Sequence, residues 1–332
     1  MVDIPYTVAI IGLGNIGFLY DRNLPAHSHV LTHARAFSQH PDFRLLAAID
    51  PEPELRSEFE HSFNVSTYKS IADIPSVIKP DVFVVASPTE THYDLIMSIL
   101  YRYTPRAILC EKPISYSIDV TREIEERCRS VGVSLYVNFI RRADPGLLEI
   151  KSRIENGMIA MPFKAVAWYS KGLLHNGVHL ADLLGFWFGP ILDMNLVALG
   201  RRIGEYDAES DLRLEFAMGS ALFCAAREED YSHYTLEVVA ANGRLRYEKS
   251  GEIQWQAAVD HPSLSSHRQL DTALEVIPND MNKYQYRIVD QLSLALRGRS
   301  NSLCTGTCSI LTQQWLTRAI IDKNQGENAC NH

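Results

Sequence analysis

The chain of 332 residues is short of cysteine, of net positive charge and of long apolar runs. Its six cysteines (Cys110, Cys128, Cys224, Cys304, Cys308 and Cys330) have neither the density nor the C-x-x-C spacing of a disulfide or zinc framework. Cys304 and Cys308 read simply as helix neighbours, four residues apart. A formal net charge of -8 offers no general attraction for phosphate backbones or anionic lipid, so neither nucleic acid nor membrane is an expected partner. No uninterrupted stretch is long enough to span a bilayer, and no basic start followed by an apolar segment opens the sequence. The expectation is therefore a cytoplasmic protein. There is no internal repeat and no low-complexity linker. What is present, 46% hydrophobic and 22% charged residues, suits a globular protein with large cores, and the length favours two domains sharing a cleft.

The first 140 residues alternate dense aliphatic runs with helical patterns. YTVAII (6–11), RLLAAI (44–49), DVFVVA (81–86), RAILC (106–110) and VSLYV (133–137) read as parallel strands covered on both faces. PELRSEFEHSF, THYDLIMSIL and SIDVTREIEERC lie between them, the last with Ile118, Ile124, Cys128 and Val131 able to share one side and Ser117 as N-cap. This is the pattern of a doubly wound α/β sheet. After residue 140 the strand-like runs FKAVAWY, LRLEFAM, ALFCAA, YTLEVVA, RLRYE and EIQWQAA are separated by tight-turn signals at Gly219-Ser220 and Asn242-Gly243. They predict a second, α+β domain with a mainly antiparallel open sheet. The expected division is 1–138 and 139–332, with a last helix over about 304–323 that either stays with the second domain or packs on the first.

Function enters at IIGLGNIG. Gly12, Gly14 and Gly17 form G-x-G-x-x-G directly after a strand, where a tight turn with Asn15 and Ile16 brings backbone amides toward a pyrophosphate. A glycine-rich turn without a ligand is the alternative. The next long strand ends at Asp50, whose carboxylate is suited to a ribose diol and unfavourable to a 2′-phosphate, which points to NAD rather than NADP. The interval from Gly17 to Asp50 exceeds the usual ~20 residues. The excess is residues 18–30, expected to lengthen the connection to a helix near THARAFSQ, to cover part of the site and to help choose the substrate. ASPTETH ends the following strand with Ser87, Pro88, Thr89 and His92 at the cofactor, or with Thr89 or Thr91 merely capping a helix. AILCEKPIS then stops a buried strand at Glu111, Lys112 and Pro113, so four signals fall on one edge of one sheet.

Together GLGNIG, AID, ASPTETH and CEKPIS, with a histidine segment in the second domain, resemble the Gfo/Idh/MocA family of glucose-fructose oxidoreductase and inositol dehydrogenase. The resemblance implies NAD as cofactor, Lys112 beside the nicotinamide and substrate, Glu111 helping to place the nicotinamide ribose, and Pro113 fixing the turn. It also implies a polyhydroxylated small-molecule substrate such as a sugar, nucleotide sugar or cyclitol. In WYSKGLLHNGVHLADLLGFW the family's histidine matches His179, while the position of the aspartate four residues earlier holds His175. That departure puts a simple Lys-Asp-His relay in doubt and leaves His175 or Asn176 to orient a substrate hydroxyl.

Lys112, His179 and His175 are thus the catalytic candidates. Arg141, Tyr169, Lys171 and Asn176 join them as substrate candidates, although exposed surface charge is the blander reading of Arg141 and Arg142 and the favoured one for Arg142. Histidines at a helix start are also often only capping or packed. A metal reading of His175, His179 and Asp182 is weakened because Asn176 stands where H-E-x-x-H has its glutamate. The remaining histidines, His33 among them, form no evident ligand cluster. The reading that results is an NAD-dependent dehydrogenase assembling as a homodimer or homotetramer through its second sheet, with no metal. The alternatives are a non-catalytic NAD-binding regulator and a metal-dependent hydrolase or lyase.

Overall fold

The computed structural model describes residues 4–248 and 251–321. They fall into two compact units: the residues up to Ala143 together with Asn282–Ile310, and Asp144–Met281 together with the residues from Leu311 on.

In the first unit β1 (Tyr6–Ile11), α1 (His33–Gln39), β2 (Phe43–Ile49), α2 (Pro53–Phe63), β3 (Thr67–Tyr68), β4 (Val82–Val85), α3 (His92–Arg102), β5 (Ala107–Cys110), α4 (Ile118–Ser130) and β6 (Ser134–Val137) alternate along the chain. The strands pair in parallel in the order β6-β5-β4-β1-β2-β3, the doubly wound arrangement the sequence predicts. All four residues of β4 and of β5 are buried, as strands in the middle of a two-sided sheet must be. Helix ends follow their local chemistry. Ser117 accepts the Val120 amide at the start of α4, and Pro53 opens α2, which closes at Asn64 in left-handed backbone (φ 54°).

The second unit contains α5 (Pro145–Glu155), β7 (Phe163–Tyr169), α6 (Val178–Phe188), β8 (Asp193–Ala198), β9 (Arg202–Ile203), β10 (Asp207–Ala208), β11 (Asp211–Phe216), β12 (Gly219–Ala225), β13 (Tyr234–Ala240), β14 (Gly243–Glu248), β15 (Glu252–Asp260), β16 (Arg268–Leu270) and β17 (Glu275–Ile277). Its large sheet runs β16-β15-β14-β13-β7-β12-β11-β8, with β17 also on β15; every pair is antiparallel except β7 with β12. Strict alternation along β7 turns Phe163, Ala165, Ala167 and Tyr169 inward and leaves Lys164, Val166 and Trp168 outside. The two glycines expected inside turns instead begin strands, after the turns 217–218 and 241–242. A Cβ on Gly219 would lie 2.3 Å from the Phe163 carbonyl oxygen, and one on Gly243 2.4 Å from the Trp255 ring, so each is required by close packing.

The chain then returns to the first unit with α7 (Tyr284–Leu296) and β18 (Cys304–Thr305), which adds antiparallel to β6, before α8 (Gly306–Ile321) passes into the second. This corrects the uninterrupted division at 138/139: Ile288, Val289 and Leu292 of α7 are buried in the same core as Val8, Ala34 and Phe37. Residues 322–323 of the expected last helix, and Cys330, lie outside the described residues. Among the described residues no helix is long and apolar enough to cross a membrane.

Candidate functional site

The glycine turn is fixed by close approach. Gly12 has φ +93°, donates its amide to the Ile49 carbonyl (2.8 Å), and would bring an added Cβ to 2.7 Å from the Ala86 carbonyl and the Ser87 nitrogen. A Cβ on Gly17 would sit 2.0 Å from the Gly12 oxygen, whereas one on Gly14 would meet nothing within 4 Å. The first and third glycines are therefore needed by the protein, and the second faces open space. Asp50 accepts the Leu13 amide on Oδ2 (2.7 Å) and the Glu52 amide on Oδ1 (2.9 Å), so the end of β2 is tied to the turn after β1. Gly14, Asp50, Ser87, Pro88, Lys69 and Tyr101 are among the walls of a cleft of about 1020 Å³ along this edge.

After Gly14 the chain makes one wide turn, Asn15–Leu19, and does not continue as a helix. Five residues carry little macrodipole, so a phosphate there would rely on the first backbone amides rather than on a long helix. Phe18 anchors the turn edge-on against Phe59 and Phe63. The inserted residues are tied both among themselves and to neighbouring elements, Arg22 to Glu58 (2.6 Å) and the Val30 amide to the Asn282 carbonyl (2.8 Å). Buried Asp21 accepts the amides of Leu31 (2.7 Å) and Thr32 (2.9 Å) and the Thr32 hydroxyl (2.9 Å), with the Arg35 guanidinium 3.4 Å away.

At the end of β5, Glu111 continues the ladder through its amide to the Val85 carbonyl (2.9 Å). Its Oε1 receives two donors, His33 Nε2 at 2.8 Å and Asn138 Nδ2 at 2.6 Å. Burial pushes the carboxyl pKa up, but the hydrogen bond and charge of His33, followed by Asn138 and Lys112, bring it below the ordinary carboxylate value. Glu111 is thus held as an anion. Lys112 follows, half-buried, before Pro113.

In the second unit Gly172 (φ +94°) and the wide turn Leu173–Gly177 lead into α6. The turn is built on Asp207 of β10, whose carboxylate accepts the amides of Leu174, His175 (both 2.9 Å) and Ala208 (2.8 Å). A Cβ on Gly172 would lie 2.2 Å from that carboxylate. His175 is exposed, Asn176 half-buried, and His179 buried in the first turn of α6.

Residues 6–139 match the family described as an oxidoreductase family with an NAD-binding Rossmann fold, Gfo/Idh/MocA. Over 153 residues the chain is 32% identical to the uncharacterized oxidoreductase YrbE of Bacillus subtilis, covering 46% of this chain and 41% of the relative. Over 194 residues it is 26% identical to the scyllo-inositol 2-dehydrogenase (NAD(+)) of the same organism, covering 57% and 50%. The chain thus matches half or less of the length of these relatives. Among solved structures, an NAD binding oxidoreductase from Klebsiella pneumoniae superposes with a TM-score of 0.76 over 97% of each chain at 15% identity. The WlbA dehydrogenase from Bordetella pertussis, in complex with NADH and UDP-GlcNAcA, gives 0.69 over 98% of each at 18%. The whole chain therefore shares their fold.

Within the matched segment, Gly12, Gly14, Asp50, Ser87 and Pro88 line the cleft, while Gly17 supports the turn from behind and Asn15 and Ile16 start the next one. Thr89 opens a short turn whose Thr91, and not Thr89, lines the cleft; Thr91 makes no side-chain cap, bonding instead to the Pro88 carbonyl and Ser87 hydroxyl (2.7 Å each). His92, expected at the cofactor, is fully buried. Its Nε2 lies 2.9 Å from the Ser87 carbonyl and its Nδ1 3.1 Å from that of Ile114, so it braces the two loops from behind.

Three substrate candidates have these surroundings. Tyr169 is wholly buried and donates to the Ser210 carbonyl (2.6 Å); burial, followed by Asp207, Asp211 and Glu209, drives its pKa up. Lys171 pairs with Glu228 at 2.9 Å. Arg141, with Arg142, is buried in the turn after β6 and is not an exposed cation. Among the described residues no three His, Cys, Asp or Glu side chains are arranged to hold a metal, so His175, His179 and Asp182 do not form a ligand set. The sequence reading missed His33, Asn138 and Asp207, whose partners are remote in sequence. The one available signal was that His33 and Asn138 each adjoin the end of a predicted element.

Proposed function

We propose that the protein is an NAD-dependent oxidoreductase moving a hydride between nicotinamide and a hydroxyl- or keto-bearing carbon of a sugar, nucleotide sugar or cyclitol. The observation that carries this reading is that Glu111 and Lys112 emerge at the carboxyl end of β5, on the sheet edge that also presents Gly14 and Asp50. The open space above Gly14 and the anionic acceptor at Asp50 fit a dinucleotide, held by the glycine-turn amides at its phosphates and by Asp50 at its adenosine ribose. Bound NAD supplies the hydride acceptor or donor; the chain has to orient the substrate and move its hydroxyl proton. Lys112 is assigned to polarise the substrate oxygen or share that proton, and His179 to accept it, with His175 and Asn176 orienting neighbouring hydroxyls. The named activity of the Bacillus subtilis scyllo-inositol dehydrogenase supports including cyclitols among the substrates.

The proposal extends to a cytoplasmic homodimer or homotetramer, supported by the apolar side chains of Val166, Trp168 and Val239 on the outer sheet face. The test begins with single-turnover hydride transfer across inositols, sugars and nucleotide sugars. With an active substrate, Lys112→Met lowers turnover about 10²- to 10⁴-fold while NADH binding changes little. Near-normal transfer in that variant would leave Glu-Lys-Pro as a structural turn and favour a regulatory NAD-binding role.

A further inference from the structure

Behind Lys112 lies a chain of buried polar side chains that no step above uses. His33 and Gln285 are fully buried and Asn138 nearly so. They are linked in series: His33 Nε2 and Asn138 Nδ2 meet on Glu111 Oε1, and Asn138 Nδ2 also lies 3.3 Å from Gln285 Oε1. The second carboxylate oxygen, Oε2, makes no hydrogen bond to the described residues, and the Glu111 side chain is 13% exposed. A carboxylate with both donors on one oxygen is fixed in rotation and offers the other oxygen as an oriented acceptor. His33 Nδ1, Asn138 Oδ1 and Gln285 Nε2 are buried without hydrogen-bond partners among the described residues. Orphans of this kind on three linked residues are where ordered water completes a network.

We propose that His33 is a positioning residue: with Asn138 it pins Glu111 through Oε1, so that Oε2 is presented beside Lys112 as a fixed acceptor for a hydroxyl of the bound reactants. This rests on the reading of the protein as an NAD-dependent oxidoreductase. The hydroxyl belongs either to the nicotinamide ribose or to the polyol, and the chemistry is the same for both.

The test uses the full-length protein and begins with NADH and AMP, which need no substrate. His33→Leu is expected to weaken NADH binding roughly tenfold, the effect of losing one charge-assisted hydrogen bond, while AMP, which reaches only the adenosine end, binds as before. His33→Gln, which keeps a donor, restores binding to within about threefold. In a Glu111→Gln background, His33→Leu adds no further loss, because the group it positions is already altered. If Glu111→Gln instead leaves NADH binding unchanged but raises the KM for the polyol, with His33→Leu following it, the hydroxyl is the substrate's and the positioning role stands. Equal losses of NADH and AMP binding, no rescue by glutamine, or additive losses in the double variant would each make His33 a packing residue and overturn the proposal. Failure of the functional reading is seen separately, as near-normal hydride transfer by Lys112→Met.

Discussion

At Asp50 both carboxylate oxygens already receive a backbone amide, which fixes the direction of the charge while each oxygen keeps acceptor capacity. A 2′-phosphate brought there meets Asp50 and, on the same cleft wall, Glu52; the Arg56 guanidinium is already engaged by the Asp50 and Pro51 carbonyls (2.7 and 2.8 Å). The like charges are expected to prevail, so NADH binds at least about tenfold more tightly than NADPH, and Asp50→Ser narrows that gap. Fluorescence titration with both cofactors decides it; equal affinities would remove Asp50 from the ribose. Side chains differ in how legible they are. Glu111, Lys112 and Pro113 are consecutive and end a strand, so a linear reading finds them. Their supports are not consecutive: His33 lies 78 residues before Glu111 and Asn138 27 after, and Asp207 follows His175 by 32. No periodicity encodes such distances, because only the folded sheet brings the groups together. Tyr169 misled for the opposite reason, since strand alternation alone predicts that it points inward.

Among the elements, the inserted stretch before α1 is held chiefly by the buried Asp21 carboxylate, with Arg35 donating to the Leu24 and His29 carbonyls (3.0 Å each). Removing that acceptor leaves the Leu31 and Thr32 amides without their partner, so Asp21→Ala is expected to cost about 2–3 kcal/mol of stability and to speed proteolysis within residues 20–30. Substrate affinity should fall more than NADH affinity, because the glycine turn is held separately by Gly12, Phe18 and Asp50. Thermal unfolding, limited proteolysis and NADH titration check this; a collapse of NADH binding with substrate recognition intact would assign the stretch to the dinucleotide site. The regular elements were the most readable part of the chain. Strands β1, β7 and β13 and helix α2 have the bounds their composition predicts, because dense aliphatic runs, strict alternation and a proline start are local signals. Helix α5 also had a local signal, Asp144 accepting the Gly146 and Leu147 amides with Pro145 in the first turn, and it was overlooked. Strands β9, β10, β16 and β17 have two or three residues each, too few to establish a period.

Over the whole molecule, the outer face of the large sheet combines Val166 and Trp168 of β7 with Val239 of β13, bordered by Glu237 and its ion pair to Arg246 (3.0 Å). A half-apolar face of this kind suits a self-complementary interface. Sedimentation should show a dimer or tetramer, and Val166→Glu with Trp168→Glu should yield a folded monomer; a monomeric wild type would refute the assignment. The return of residues 282–310 to the first unit also has a bearing on biosynthesis. On the ribosome, the Rossmann sheet emerges first but lacks α7 and the outer strand β18 until roughly 160 further residues have been added. At ~5–20 residues per second that interval is on the order of ten seconds, long enough for the intervening unit to fold. During it the surfaces of β1, α1 and β2 that await Ile288, Val289 and Leu292 stand open in the nascent chain. The dinucleotide unit, although first in sequence, is the one whose completion is vectorially delayed, and until then its core is the part of the nascent chain with most apolar surface to shield.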